Sequence, residues 1–153
     1  MKTFCMAVAV ALVVCEANAR LGETEAEINA RLGKPTMVAG QHANTWSRIY
    51  MMPGYCVHVE YELGLSICET YMPRNEKGDR TQKRKMTLDE AEAIVFANDG
   101  PAVWARDPKS DTDAKVYYRR HDGAFAAVDR DGAGVVMRLR EKRSSASDSL
   151  KRF

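Results

Sequence analysis

The feature that most constrains this chain is a helix start that occurs twice. Thr24 is followed three residues later by Glu27, and Thr87 by Glu90. Each pair is a capping box, in which the threonine hydroxyl and the glutamate carboxylate each accept from the other residue's backbone N–H. After the first box, Ile28 and Leu32 fall on one helical face, Gly33 stands where a left-handed C-cap belongs, and Pro35 forbids continuation. After the second, Leu88, Ala91 and Val95 recur at helical spacing until Asn98-Asp99-Gly100-Pro101 stops the run. The spacing predicts helices over 24–32 and 87–98. Both are too short to persist alone in water and must dock on something.

Behind each helix the hydrophobic period falls to two. Residues 44–52 (NTWSRIYMM) are rich in β-formers, and Pro53-Gly54 is a turn. Val57, Val59, Tyr61 and Leu63 then alternate with His58, Glu60 and Glu62. Gly64 marks a turn, and residues 65–72 return as a third strand ended by Pro73. In the second half, 115–120, 124–129 and 134–139 read as strands, with Trp104 in a loop before them. They are separated by His121-Asp122-Gly123 and Arg130-Asp131-Gly132, where Asp-Gly is a strong hairpin signal. The expected fold class is α+β: two short helices and about six antiparallel strands in the order αβββ-αβββ, the helices packed on antiparallel sheet.

A chain of 153 residues suits one core. The expected domain spans 20–139, with halves 20–73 and 86–139. Between them, 74–85 (RNEKGDRTQKRK) contains no apolar residue and carries six cations against two anions, as a linker or exposed loop does. Residues 140–153 (REKRSSASDSLKRF) are serine-rich and charged and are expected to form a disordered basic tail.

Residues 1–19 read as a signal peptide. Lys2 supplies the positive start, Phe4 to Cys15 is an unbroken apolar run, and Ala17-Asn18-Ala19 offers small residues at −3 and −1. Cleavage is expected between Ala19 and Arg20, sending the chain to the periplasm or the medium. Cys5 and Cys15 would leave with the signal, and Cys56 and Cys68 would remain in an oxidising compartment. A structural disulfide between Cys56 and Cys68 is the favoured reading, since C-x11-C with no second Cys or His pair suits zinc poorly. Both cysteines share the face opposite Val57, Val59 and Tyr61, but register decides the bond. A three-residue loop at 62–64 sets them diagonal and strains it, whereas a bulge or a two-residue shift brings them opposite.

The run Leu21-Gly-Glu-Thr24-Glu-Ala-Glu27-Ile28-Asn-Ala-Arg-Leu32-Gly33-Lys-Pro35 resembles a recurrent opening of small exported bacterial proteins, G-x-T-x-x-E-[IV]-x-x-x-[LY]-G-x-P. The same helix-then-strands start resembles that of small outer-membrane-assembly lipoproteins and of the β-lactamase-inhibitor-protein-like fold. The resemblance implies small α–β units that present a sheet face to a protein partner. Val14 before Cys15 departs from the lipoprotein pattern, which needs a small residue there.

Chemistry is harder to find. A net charge of +2 is too balanced for a nucleic-acid binder driven by bulk charge, and no apolar run reaches the roughly 18–20 residues that span a bilayer as a helix. His42, His58 and His121 are scattered, and no zinc, P-loop or G-x-S-x-G signature occurs. Asp129-x-Asp131-Gly132 fits a hairpin turn better than a calcium loop, because Ala127 stands where another oxygen ligand is needed. No catalytic, cofactor-binding or metal residue is therefore expected. The aromatics Trp46, Tyr50, Tyr55, Tyr61, Tyr71, Trp104, Tyr117 and Tyr118 divide between core and binding surface in a way the sequence leaves open. The expectation is a non-enzymatic exported or envelope-associated module with a protein partner on a sheet face. Its basic loop and tail would touch anionic surfaces weakly. The alternative is a small exported enzyme of unrecognised type.

Overall fold

A computed structural model describes residues 20–75, 84–99 and 102–139. The expected signal peptide, most of the expected linker (76–83) and the tail 140–153 lie outside the described residues.

Both capping boxes form. In α1 (Glu25–Leu32) the Thr24 hydroxyl accepts from the Glu27 N–H, and Glu27 accepts from the Thr24 N–H at 2.8 Å. In α2 (Leu88–Ala97) Thr87 and Glu90 do the same. Gly33 ends α1 with a positive φ of 83°, its N–H donating to Asn29 O. Ile28 and Leu32 are buried, and full burial of such side chains is worth about 1.5–3 kcal/mol each. That docking stabilises a helix which two turns of hydrogen bonds alone do not.

The described strands form one antiparallel sheet of eight, and this overturns the expected αβββ-αβββ order with about six strands. Each helix is followed by four strands. The first set is β1 (Met37–His42), β2 (Thr45–Met52), β3 (Tyr55–Glu62) and β4 (Leu65–Pro73). The second is β5 (Trp104–Arg106), β6 (Lys115–Arg120), β7 (Phe125–Asp129) and β8 (Val135–Arg138). The sheet order is β1-β2-β3-β4-β8-β7-β6-β5, so the last strand of each half lies against the other and both first strands are edges. The two extra strands are those edges. β1 is exposed at every position but Ala39 and is broken by a bulge near Gly40, so it carries no alternation. β5 has only three residues.

Side chains paired across antiparallel strands share a face, and successive residues alternate between faces. One row runs through Tyr50, Val57, Tyr71, Val135, Val128 and Val116 across six strands, and all six residues are buried. α1 packs on β2, and α2 packs on β7 and β8. Their contacts reach this same face: Tyr50 Oη donates to Asn29 Oδ1 at 2.9 Å, and the Phe96 ring of α2 meets Tyr118 edge-on. Trp46 stacks on Tyr61 with centroids 5.5 Å apart and donates to Glu25 of α1.

Candidate functional site

Both described helices lie on one face, so no described helix covers the other, called here the open face. Its central row runs Met37, Ile49, His58, Thr70, Val136, Ala127 and Tyr117. A neighbouring row places Ser47, Glu60, Cys68, Arg138, Phe125 and Arg119 side by side. The charges pair within the face or at its rim. Arg138 donates to Glu60 Oε2 at 2.9 Å, Lys115 lies 3.3 Å from Asp129 Oδ1, and Arg119 pairs with Asp107. Between them stand Met37, Ile49, Val136, Ala127, Phe125 and Tyr117, together with the polar Ser47, His58 and Thr70.

The cysteines sit on this face, but not as a bonded pair. The β3–β4 turn holds two residues, Leu63-Gly64, so Glu62 faces Leu65, and a bulge beyond Glu60 sets Cys68 opposite Glu60. Cys56 faces Met72. The thiols are thus four residues apart along the pair, about 13 Å at strand rise, far beyond disulfide reach. Both are free, which corrects the expected Cys56–Cys68 bond. Burial pushes both thiols up, and at Cys68 the Glu60 carboxylate adds to the shift. Neither is poised as a thiolate nucleophile.

The covered face carries a buried polar cluster under α1. Glu69 is fully buried, accepts from Tyr71 Oη at 2.9 Å, and meets Arg31 Nη2 at 3.3 Å. The same Arg31 nitrogen lies 2.8 Å from Glu23 Oε2. Burial raises the Glu69 carboxyl above its ordinary range, against the pull of Arg31. A raised carboxyl is a common mark of a general acid. This one is sealed beneath the helix and satisfied on both oxygens, so its chemistry is to orient α1. A second cluster holds α2. Tyr118 donates to Glu92, and Arg120 grips Asp122 at 2.8–3.1 Å while its guanidinium lies 5.1 Å from the Trp104 ring centroid. At the far end Arg84 and Tyr55 both reach Glu90, and this places Arg84, the penultimate residue of the expected linker, in a fixed contact.

The aromatics left unsorted by sequence now divide. Tyr50, Tyr61, Tyr71, Trp104 and Tyr118 are core, Trp46 and Tyr55 border it, and Tyr117 faces the open side. His42 is exposed on the β1 edge, His58 lies mid-face and His121 is exposed in a turn, so the structure brings no two together. Among the described residues no group of three or more His, Cys, Asp or Glu is placed to hold a metal ion. Of the expected cleavage pair, Ala19 lies outside the described residues and Arg20 is exposed. No described helix is long and apolar enough to cross a membrane. A shallow hollow of about 440 Å³ lies at one end of the sheet, bordered by Met51, Met52, Pro53, Gly54 and Arg74. Ile49, Met51, Met72, Phe125 and Val136 were not singled out by sequence. Their signal was present in their phase, opposite to that of the core positions on each strand.

No protein-family profile matches the chain. No curated protein matches it either. Among solved structures it is similar to a cysteine-rich secretory protein from Staphylococcus aureus, at 12% identity and a TM-score of 0.44. The match covers 79% of this chain and 45% of that one, so the chain spans less than half the length of its neighbour. A likeness of that degree carries neither fold nor function across.

Proposed function

We propose that the chain is an exported, non-enzymatic binding module of the cell envelope or medium, and that it engages a protein partner through the open face of its sheet. One observation carries the reading. A face crossing the sheet is left uncovered by either described helix, yet it bears Ile49, Val136, Phe125 and Tyr117 between ion pairs that neutralise one another. Aromatic and aliphatic side chains among satisfied charges are the usual material of an interface core. The export signal read in residues 1–19 and the resemblance of residues 21–35 to small exported proteins support the compartment.

The test is affinity capture from envelope extract. The face variant Tyr117→Lys with Phe125→Lys is compared with Leu88→Lys, an exposed change on α2, on the covered side of the sheet. The expected result is a partner held by the native chain and by Leu88→Lys but lost by the face variant. Equal capture by all three, or no partner together with turnover on a substrate panel, overturns the reading.

A further inference from the structure

We propose that one corner of the open face is the docking site for an acidic amphipathic segment of that partner. This rests on the sheet-face reading above and names the part of the face and the chemistry it takes. The corner is built by register. Met37 lies opposite Ile49, and Met51, Cys56 and Met72 form a row across β2, β3 and β4. Met37 is 57% exposed, Met51 46% and Met72 39%, so three unbranched thioethers stand in solvent around a half-buried isoleucine and thiol. Isolated exposed apolar residues are ordinary; a contiguous group on one face marks a contact surface. Methionine suits such a surface because its flexible, polarisable side chain repacks around differing apolar partners.

The charge at the rim selects the partner. Arg74 continues the open-face phase of Met72 and borders the adjoining hollow. Its guanidinium is near enough to Cys56 to act on the thiol, and it has no ion pair among the described residues. Elsewhere on this face Glu60 is paired with Arg138 and Lys115 with Asp129, so Arg74 is the cation there whose charge remains to be met. Among the described residues no carboxylate stands in these register rows; the nearest on the face in β3 is Glu60, two rows from Cys56. The corner spans four strands, about 14 Å at ordinary strand spacing, which is the scale of a short extended segment. An apolar surface with one unmet guanidinium selects apolar side chains flanked by carboxylates.

The test uses the full chain and two fluorescein-labelled peptides of about ten residues. One alternates leucine or valine with glutamate, and the other replaces each glutamate by lysine. Fluorescence anisotropy is expected to show the acidic peptide binding about tenfold tighter than its lysine counterpart. Arg74→Glu is expected to remove that preference, and Met51→Lys with Met72→Lys to abolish binding while thermal melting stays within a few degrees of native. Equal binding of the two peptides, or indifference to the methionine changes, overturns the proposal. So does self-association of the native chain that the methionine changes dissolve, or retention on phosphatidylglycerol vesicles with no peptide binding. Capture of the natural partner separates the two readings. Loss with Tyr117→Lys and Phe125→Lys but not with the methionine changes leaves the sheet-face reading standing and removes this one. Indifference to all four substitutions removes both.

Discussion

Arg31 Nη2 lies 3.3 Å from Glu69 Oε1 across the boundary between α1 and the sheet, with 10% of the arginine side chain and none of the glutamate exposed. The pair, with Glu23 at its outer side, fixes how α1 sits. Removing one partner of a buried pair leaves the other charge without compensation, and this costs about 3–5 kcal/mol. Arg31→Met is expected to approach that range, while Arg31→Met with Glu69→Leu recovers most of the loss. Urea unfolding of the single and double variants measures it; strictly additive effects would show that the two side chains are not coupled.

Glu69 also gives stability a pH dependence of unusual sign. Its folded-state pKa is raised, mainly by burial. A group raised on folding contributes fully below its unfolded value, about 4.3, and loses that contribution as pH climbs through the folded value. Asp122, held low first by its hydrogen bond with Arg120, does the reverse and loses its contribution as pH falls. The stability of the native chain minus that of Glu69→Gln is expected to shrink as pH rises from 4 towards neutrality. A difference that stays flat or grows refutes the assignment.

Gly132 joins the β7–β8 turn to the segment leading into α2, its carbonyl accepting from the Met86 N–H at 3.0 Å. Its φ is +79°, and a Cβ there would stand 2.6 Å from Met86 O. The neighbour is backbone and cannot swing aside. Gly132→Ala is therefore expected to destabilise by at least about 2 kcal/mol, read as a lower urea midpoint. An unchanged midpoint would mean that the two segments separate freely.

Leu63 adopts a positive φ of 50° in the β3–β4 turn while 77% exposed. Asparagine tolerates that conformation better and forgoes no buried contact. Leu63→Asn is expected to stabilise by about 0.5–1 kcal/mol, a rise of a few degrees in Tm. A fall in Tm would show that Leu63 makes a contact worth more than the strain.

The separation of Cys56 from Cys68 predicts that both are free thiols in denatured, unreduced protein. In the native state Cys56 is expected to react with a thiol reagent before Cys68, which is 3% exposed. Absence of free thiols on denaturation would require a different β3–β4 register.

What the sequence made legible was whatever depends on near neighbours. Thr24 with Glu27 and Thr87 with Glu90 announce their helices because a capping box is closed within four residues. The alternation of Val57, Val59 and Tyr61 announces a strand with one buried face. β1 gave no such sign, since an edge strand wet on both sides has no need to alternate, and the bulge at Gly40 breaks any phase it had. Register was equally hidden. Whether Cys68 faces His58 or Glu60 turns on one residue of loop length and one bulge, and neither leaves a mark in composition. The open face was out of reach for a related reason: phase tells that Ile49 and Tyr117 oppose their core neighbours, but only the packing of both helices on one side tells which face is left bare.

The pairing of β4 with β8 bears on the timing of assembly. Cys68 to Tyr71 in β4 find their partners in Val135 to Arg138, so the middle of the sheet is filled by the last of the described strands. Until then β4 is a raw edge, and the first half cannot close its hydrogen bonds on that side however long it waits. Each half thus carries an inner edge that only the other half can satisfy, and damage to either one leaves the other with a row of unpaired backbone groups at the centre of the sheet.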